Sequence, residues 1–351
     1  MREFDYSKLR ESSWDTEVLS FVAQIREHKG RQDLYLRKKP VELERLVEVA
    51  KIQSTDSSNR IEGIGTSNAR MKQLVEDRTT PRTRDEQEIV GYRDVLNTIH
   101  ESYEYIPLKG DVILQLHRNL LAYTDKTFGG KFKDSQNYIN EPHADGSPFT
   151  RFTPLAPFET PETVEAICTS YHDALEKQVV DPLILVPIFI CDFLCIHPFN
   201  DGNGRMSRLL TTLLLYQSGF MVGKYISIGQ KIERTKDTYY DVLGKISSGW
   251  QEKKNDYTPF VKYFLGIVLY CYRDLEERLG SMDRKSTPYE IVRTAVDSTL
   301  GVFTKAQILQ LCPSIGSSSV EAALKRLKEE GYILRQGSGR NTAYVRNPEH
   351  A

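Results

Sequence analysis

The chain of 351 residues carries 47 Lys and Arg against 48 Asp and Glu, a formal net charge of −1, with 39% apolar and 27% charged residues. That is the make-up of a core-forming protein of two or three domains. A charge near zero excludes a whole-molecule field that would draw it to nucleic acid or an anionic membrane.

The opening stretch MREFDYSKLRESSWD lacks the basic-then-apolar pattern of a secretory signal. Helical periodicity then dominates, so the expected fold class is mainly α, with no internal repeat. PVELERLVEVAKIQSTDSSNRIEGI reads as an amphipathic helix from Pro40 to near Gly63. SQNYINEPHADGSPFTRFTP breaks the pattern: short aromatic and β-branched pieces flank Asp145-Gly146, a hairpin turn signal. Such a hairpin is either a surface excursion or a lid beside a site. Helical pattern resumes at ETPETVEAICTSYHDALEK, with Thr160 as N-cap and Pro161 as first helical residue. PLILVPIFICDFLCI (182–196) is too short for a comfortable membrane span and contains Asp192, so it reads as a helix buried in a large core. GRMSRLLTTLLLYQSG forms a helix from about Gly204 to Gly219, and TPFVKYFLGIVLYCYRDLEERL a long one after it.

Cysteines stand at 168, 191, 195, 271 and 312, and no second Cys/His pair sits at ligand spacing. They read as reduced, buried thiols, which with the missing signal points to the cytoplasm and to no membrane partner. Beyond the polar stretch SMDRKSTP the texture changes to helix, helix, helix and two strands around GSGRN, the pattern of a winged helix-turn-helix with 317–328 as its recognition-type helix. Residues 284–351 hold ten Lys and Arg against six Asp and Glu, less surplus than a dedicated DNA binder shows. A DNA or a protein partner for this part stays open. So does the oligomeric state, a homodimer included.

The chemistry concentrates in HPFNDGNGRMSR (197–208). Gly202 and Gly204 around Asn203 allow a tight turn whose N–H groups approach a ligand, and the helix beginning there adds its positive end. Arg205 and Arg208, three apart, are expected on one face, a pair suited to a polyphosphate. Asp201 at the rim is a candidate Mg²⁺ ligand, since Mg²⁺ commonly bridges one or two carboxylates to phosphates. His197 has the ordinary pKa, near 6.5, of a base that takes a proton from a hydroxyl.

This stretch resembles the Fic family signature His-Pro-Phe-x-Asp-Gly-Asn-Gly-Arg-x-x-Arg, matched at every specified position. The resemblance implies a helical core that transfers AMP from ATP to a Ser, Thr or Tyr hydroxyl of a target protein, and to itself, releasing pyrophosphate. It implies His197 as the base and Asp201 as the Mg²⁺ ligand. Asn203 and its neighbours would hold phosphates, with Arg205 and Arg208 on the β- and γ-phosphates. The hairpin between Lys133 and Pro154 is where family members carry a flap that pins the target segment. Tyr239 and Tyr240 resemble tyrosines near the base pocket. Ser247 stands where the family often has Asn, and Lys133 where many members have Arg.

SSNRIEG, with Ser58 and Glu62 one helical turn apart and Gly63 following, resembles the family's inhibitory motif. By that resemblance Glu62 occupies Arg208, the guanidinium that the γ-phosphate needs. The implied organisation is an N-terminal helical region at 1–109 with an inhibitory helix at about 41–63. A catalytic core follows at 110–283 with its flap at about 133–154, then the winged-helix-like domain at 284–351. Two alternatives stand beside AMP transfer: removal of AMP from modified proteins at the same site, and a DNA-binding regulator acting through the C-terminal domain.

Overall fold

The computed structural model describes residues 2–38, 40–142, 148–283, 287–299, 301–312, 315–337, 339 and 342–347, and the statements below concern these. The expectation of a mainly α chain holds. After a 3-10 turn at Tyr6–Glu11 come α1 (Thr16–Lys38) and α2 (Pro40–Ile61). Next are α3 (Asn68–Val75) and α4 (Arg84–Ser102), whose first turns are capped by the side chains of Ser67 and Thr83. Helix α2 ends where Gly63 takes φ +77°, the left-handed conformation that glycine adopts without strain.

Helix α5 (Gly110–Leu120) leads to a two-stranded antiparallel hairpin, β1 (Ile139–Pro142) and β2 (Pro148–Phe152), with an irregular register between Ile139 and Asn140. The expected Asp145-Gly146 turn, like His143 and His350, lies outside the described residues. Helix α6 (Thr160–Glu176) corrects the predicted cap by one residue. Thr160 is already helical and its hydroxyl donates to the Ala156 carbonyl at 3.0 Å, because a 3-10 turn at Pro157–Glu159 feeds the chain into the helix.

Helix α7 (Pro182–Ile196) runs through the centre of the main core, and its side chains are buried all round. The carboxylate of Asp192 survives there because Tyr6 Oη, Trp250 Nε1 and Tyr257 Oη each donate to it at 2.7 Å. A buried acid must be paired or hydrogen-bonded, and these donors tie the N-terminal segment to the core. Helices α8 (Asn203–Gln217), α9 (Ile228–Arg234), α10 (Lys236–Ser247) and α11 (Thr258–Asp283) complete this body. Helix α7 packs on α8, and α4 on α5 and α8. The loop that joins α7 to α8 is therefore clamped from several sides.

The chain ends in α12 (Pro288–Asp297), β3 (Val302–Phe303), α13 (Lys305–Leu311), α14 (Ser317–Glu329), β4 (Ile333–Gln336) and β5 (Ala343–Arg346). The three strands pair antiparallel in the order β3-β5-β4. Val292, Val296, Phe303, Ile308, Leu324 and Leu327 close a core of their own, separate from the main one. Capping boxes at Thr287/Glu290 and Thr304/Gln307 start α12 and α13 from local sequence alone. This unit touches α11, and also α2 and α3. Gln53 donates to the Ser298 carbonyl at 3.5 Å, and Asn68 fills the space beside Gly301. Among the described residues no helix is long and apolar enough to cross a membrane.

Candidate active site

Pro198 disfavours the α conformation at the residue before it, so α7 stops and His197 turns left-handed at φ 53°. A non-glycine residue in that region carries strain of order 1 kcal/mol, which the surrounding contacts must offset. They do so from the flap side. Lys133 N–H donates to Pro198 O at 2.9 Å, and Lys133 Nζ donates to the Ile196 carbonyl at 2.9 Å. Asn137 Nδ2 donates to Phe199 O at 3.1 Å, and Asn200 Nδ2 donates to Asp134 at 2.9 Å. The base of the flap and the 197–202 loop are thus one hydrogen-bonded unit.

The turn itself is held from within. Asn203 Oδ1 accepts from Phe199 N at 2.9 Å while its Nδ2 donates to Phe199 O at 2.7 Å. Both polar atoms of that side chain are thus engaged in shaping the loop. Gly202 takes φ +85° as the residue before α8, and a Cβ there would crowd Leu120 and His117.

His197 is half-buried and lines a cavity of about 150 Å³ with Glu62, Arg151, Gly204, Arg208, Tyr240 and Ser247. Burial pushes its pKa down to about 4, helped by Lys133 and opposed by the Leu194 carbonyl, Glu62 and Asp201. At neutral pH the ring is uncharged and able to accept a proton.

Arg208 lies against Ser58 of α2 and Glu62 of the turn that ends it. Its Nη2 lies 2.7 Å from Glu62 Oε1 and donates to the Ser58 carbonyl at 2.9 Å, while Nε donates to Ser58 Oγ at 2.7 Å. Burial alone would lower the guanidinium pKa, but Glu62 and nearby tyrosines raise it. The Glu62 carboxylate also covers the turn: a Cβ on Gly204 would collide with Glu62 Oε1. Lys236 Nζ donates to the Ile61 carbonyl at 2.9 Å and so fixes the end of α2 that presents Glu62. Gly63 lies just beyond and does not line the cavity.

Arg205 and Arg208 take different partners. Arg205 is 1% exposed, and its Nη1 lies 2.7 Å from Glu88 of α4. Residues three apart on a helix are offset by about 60°, enough for two long side chains on a helix packed on several sides to take different partners.

Sequence spacing missed three residues. His117 of α5 accepts from Gly130 N at 3.1 Å through Nδ1, which leaves Nε2 as the donor to the Asp201 carbonyl at 3.0 Å. Its ring stacks on Phe199 with centroids 3.7 Å apart, and burial lowers its pKa to about 4. A neutral, tautomer-locked imidazole is the brace under the turn. Glu88 and Lys126 are the other two: Lys126 Nζ contacts both Glu88 and Asp201. No motif links residues this far apart in sequence, and only the helix packing brings them together.

Asp201 remains at the rim, with its Oδ1 accepting from Gly202 N at 2.6 Å. Burial raises its pKa, but Lys126, Arg205 and the Gly202 N–H more than offset this and hold it below the ordinary carboxylate value. Among the described residues no group of three or more His, Cys, Asp and Glu could hold a metal alone. One ionised, part-exposed carboxylate beside an anion-binding turn still fits Mg²⁺, which takes the rest of its ligands from water and phosphate.

Residues 107–215 match the family model described as Fic/DOC family. Over 260 residues the chain is 31% identical to protein adenylyltransferase Fic of Aedes aegypti, covering 70% of this chain and 47% of that one. Over 206 residues it is 27% identical to protein adenylyltransferase fic-1 of Caenorhabditis elegans, covering 58% and 35%. The chain thus spans about a third to a half of the length of these curated relatives. A Fic family protein from Desulfovibrio desulfuricans G20 shares the fold with TM-score 0.61 at 19% identity, over 96% of this chain and 98% of that one. A Fic domain containing signaling protein from Bacteroides thetaiotaomicron does so with TM-score 0.60 at 22% identity, over 76% and 98%. Family match and shared fold agree: residues 107–215 match the Fic/DOC family, and the chain has the fold of Fic family proteins.

Proposed function

We propose that the chain transfers AMP from ATP to a hydroxyl of a protein, itself included, and that Glu62 holds this activity in check. The observation that carries the reading is the Glu62 carboxylate, seated at once on Arg208 and over Gly204, where an anion would otherwise lie. Protein adenylyltransferases are among the relatives, which supports ATP as the substrate.

In this mechanism the Gly202-Asn203-Gly204 backbone and the start of α8 cradle the phosphates. Arg208, once free of Glu62, takes the γ-phosphate. Arg205 adds its charge from beneath, through Glu88 and Asp201, and braces the turn. The target oxygen attacks the α-phosphorus as its proton passes to neutral His197, and the bond to the bridging oxygen breaks to release pyrophosphate. Asp201 would hold Mg²⁺, which when bound supplies neutralisation of phosphate charge. Tyr240 and Ser247 also line the cavity, and beside them we place the adenine.

The target segment would pair along the flap, a two-stranded sheet whose neighbour Tyr138 is exposed. We take 1–109, 110–283 and 284–351 as the functional units, the last a winged helix. Its cations support a protein partner over DNA, because Lys305, Lys325 and Arg326 pair with Glu321, Glu329 and Glu330 on α14 or at its C-cap. Five buried free thiols suit the cytoplasm. Intact-mass spectrometry with ATP and Mg²⁺ tests the reading. An added AMP on the wild-type or Glu62→Gly chain, absent in His197→Ala, is the expected result; no AMP on any protein with the inhibitor removed would overturn it.

A further inference from the structure

The ammonium of Lys126 lies between two carboxylates. It is 2.9 Å from Glu88 Oε1 and hydrogen-bonded to Asp201 Oδ2. Lys126 is 12% exposed and Glu88 4%, whereas Asp201 is 42% exposed, so the pairing is closed on the α4 side and open toward solvent at the turn. Glu88 Oε2 is 2.7 Å from Arg205 Nη1, and Arg205 Nη2 is 3.8 Å from Asp201. The four groups alternate in sign and cancel. With Asp201 Oδ1 on the Gly202 N–H, Oδ2 is the oxygen left for a cation, and Lys126 holds it.

We propose that Lys126 is a positioning residue that exchanges with a divalent cation at Asp201. The inference rests on the reading of Asp201 as the metal carboxylate. A small hard cation binds a carboxylate oxygen at about 2.1 Å, and an ammonium on the same oxygen would be repelled at short range. The two therefore alternate on Oδ2. When the metal enters, Lys126 keeps Glu88 and loses Asp201. Its charge is then freed beside the turn for the phosphates that arrive with the metal. The resting protein thus keeps Asp201 ionised and in place, and metal affinity is lowered until nucleotide phosphate adds its own ligands.

Binding of Mn²⁺ to the full chain without nucleotide, read as the loss of the free-ion electron paramagnetic resonance signal, tests this apart from catalysis. Lys126→Ala leaves Arg205 as the one cation shared by Glu88 and Asp201 and frees Asp201 Oδ2, and should bind Mn²⁺ at least about tenfold more tightly than wild type. Lys126→Arg keeps the competing charge and should stay close to wild type. Asp201→Asn in the Lys126→Ala background should lose the gain. Lys126→Ala binding no more tightly than wild type overturns the exchange. If Asp201→Asn alone still weakens binding, the metal reading stands without it; if Asp201→Asn binds as wild type does, the metal reading itself fails. Should Lys126→Ala not fold, wild type supplies the second readout. Amine labelling of Lys126, followed by peptide mass spectrometry, should accelerate when Mn²⁺ saturates the protein and not in Asp201→Asn. A labelling rate indifferent to Mn²⁺ in wild type overturns the proposal.

Discussion

Replacing Glu62 with glycine removes the carboxylate that holds Arg208 Nη2 at 2.7 Å and shields Gly204. Charge centres about 4 Å apart attract by about 4 kcal/mol at the effective dielectric of a protein surface. Two features of the site reduce what the substitution releases. The Glu62 side chain is 32% exposed, so water screens part of the attraction. The two bonds from Arg208 to Ser58, at 2.7 and 2.9 Å, also survive, so the guanidinium is freed for phosphate without losing its place. A net release of about 1.4–2.8 kcal/mol follows, an increase in AMP transfer of roughly ten- to a hundredfold. The assay is the initial rate of AMP incorporation by intact mass, with affinity for a non-hydrolysable ATP analogue measured beside it to separate binding from alignment. Glu62→Gly combined with Arg208→Ala should show no activation, because the group being freed is gone. Suppose Glu62→Gly transfers AMP no faster than wild type, but loses the ability to strip AMP from a modified target. The inhibitory reasoning would then be refuted, and the reverse reaction would take its place.

His197→Ala should abolish AMP transfer with an unchanged far-ultraviolet circular dichroism spectrum, and transfer by a folded variant would remove His197 from the role of base. His117 and His197 have pKa values lowered to about 4, and His100 to about 3, chiefly by burial. The unfolded chain binds protons near pH 6.5 and the folded one does not, so their stability contribution is whole above about pH 6.5 and is lost as pH falls through about 4. Thermal melts should fall across that window, and a flat melting temperature from pH 7 to 4 would contradict the burial argument. Truncation after Asp283 should leave a folded, self-modifying protein, because 287–347 closes its own core; outright unfolding would show that the boundary is misplaced. The paired charges of α14 and its C-cap predict no salt-sensitive DNA shift in a gel at physiological ionic strength, and a steep loss of binding with salt would reverse that assignment.

Much of the site was legible because its chemistry is local. From His197 to Arg208 the order of proline, glycines and helix start determines the bend, the left-handed histidine and the glycine turn within a dozen residues. The ends of α2, α12 and α13 follow from a glycine and two capping boxes in the same way. The partnership of Glu62 with Arg208, 146 residues apart, was readable only through resemblance to a known motif. What tertiary structure alone decided is the direction in which each charged side chain turns. Spacing put Arg205 beside Arg208; packing of α8 against α4 on one side and α2 on another sent them to Glu88 and Glu62. His117 and Lys126 carry no spacing signal toward Asp201, since they come from α5 and the loop beyond it. Local sequence sets backbone conformation through short-range sterics and hydrogen bonds. Which long side chain meets which depends on how helices stack, and that is a property of the whole core.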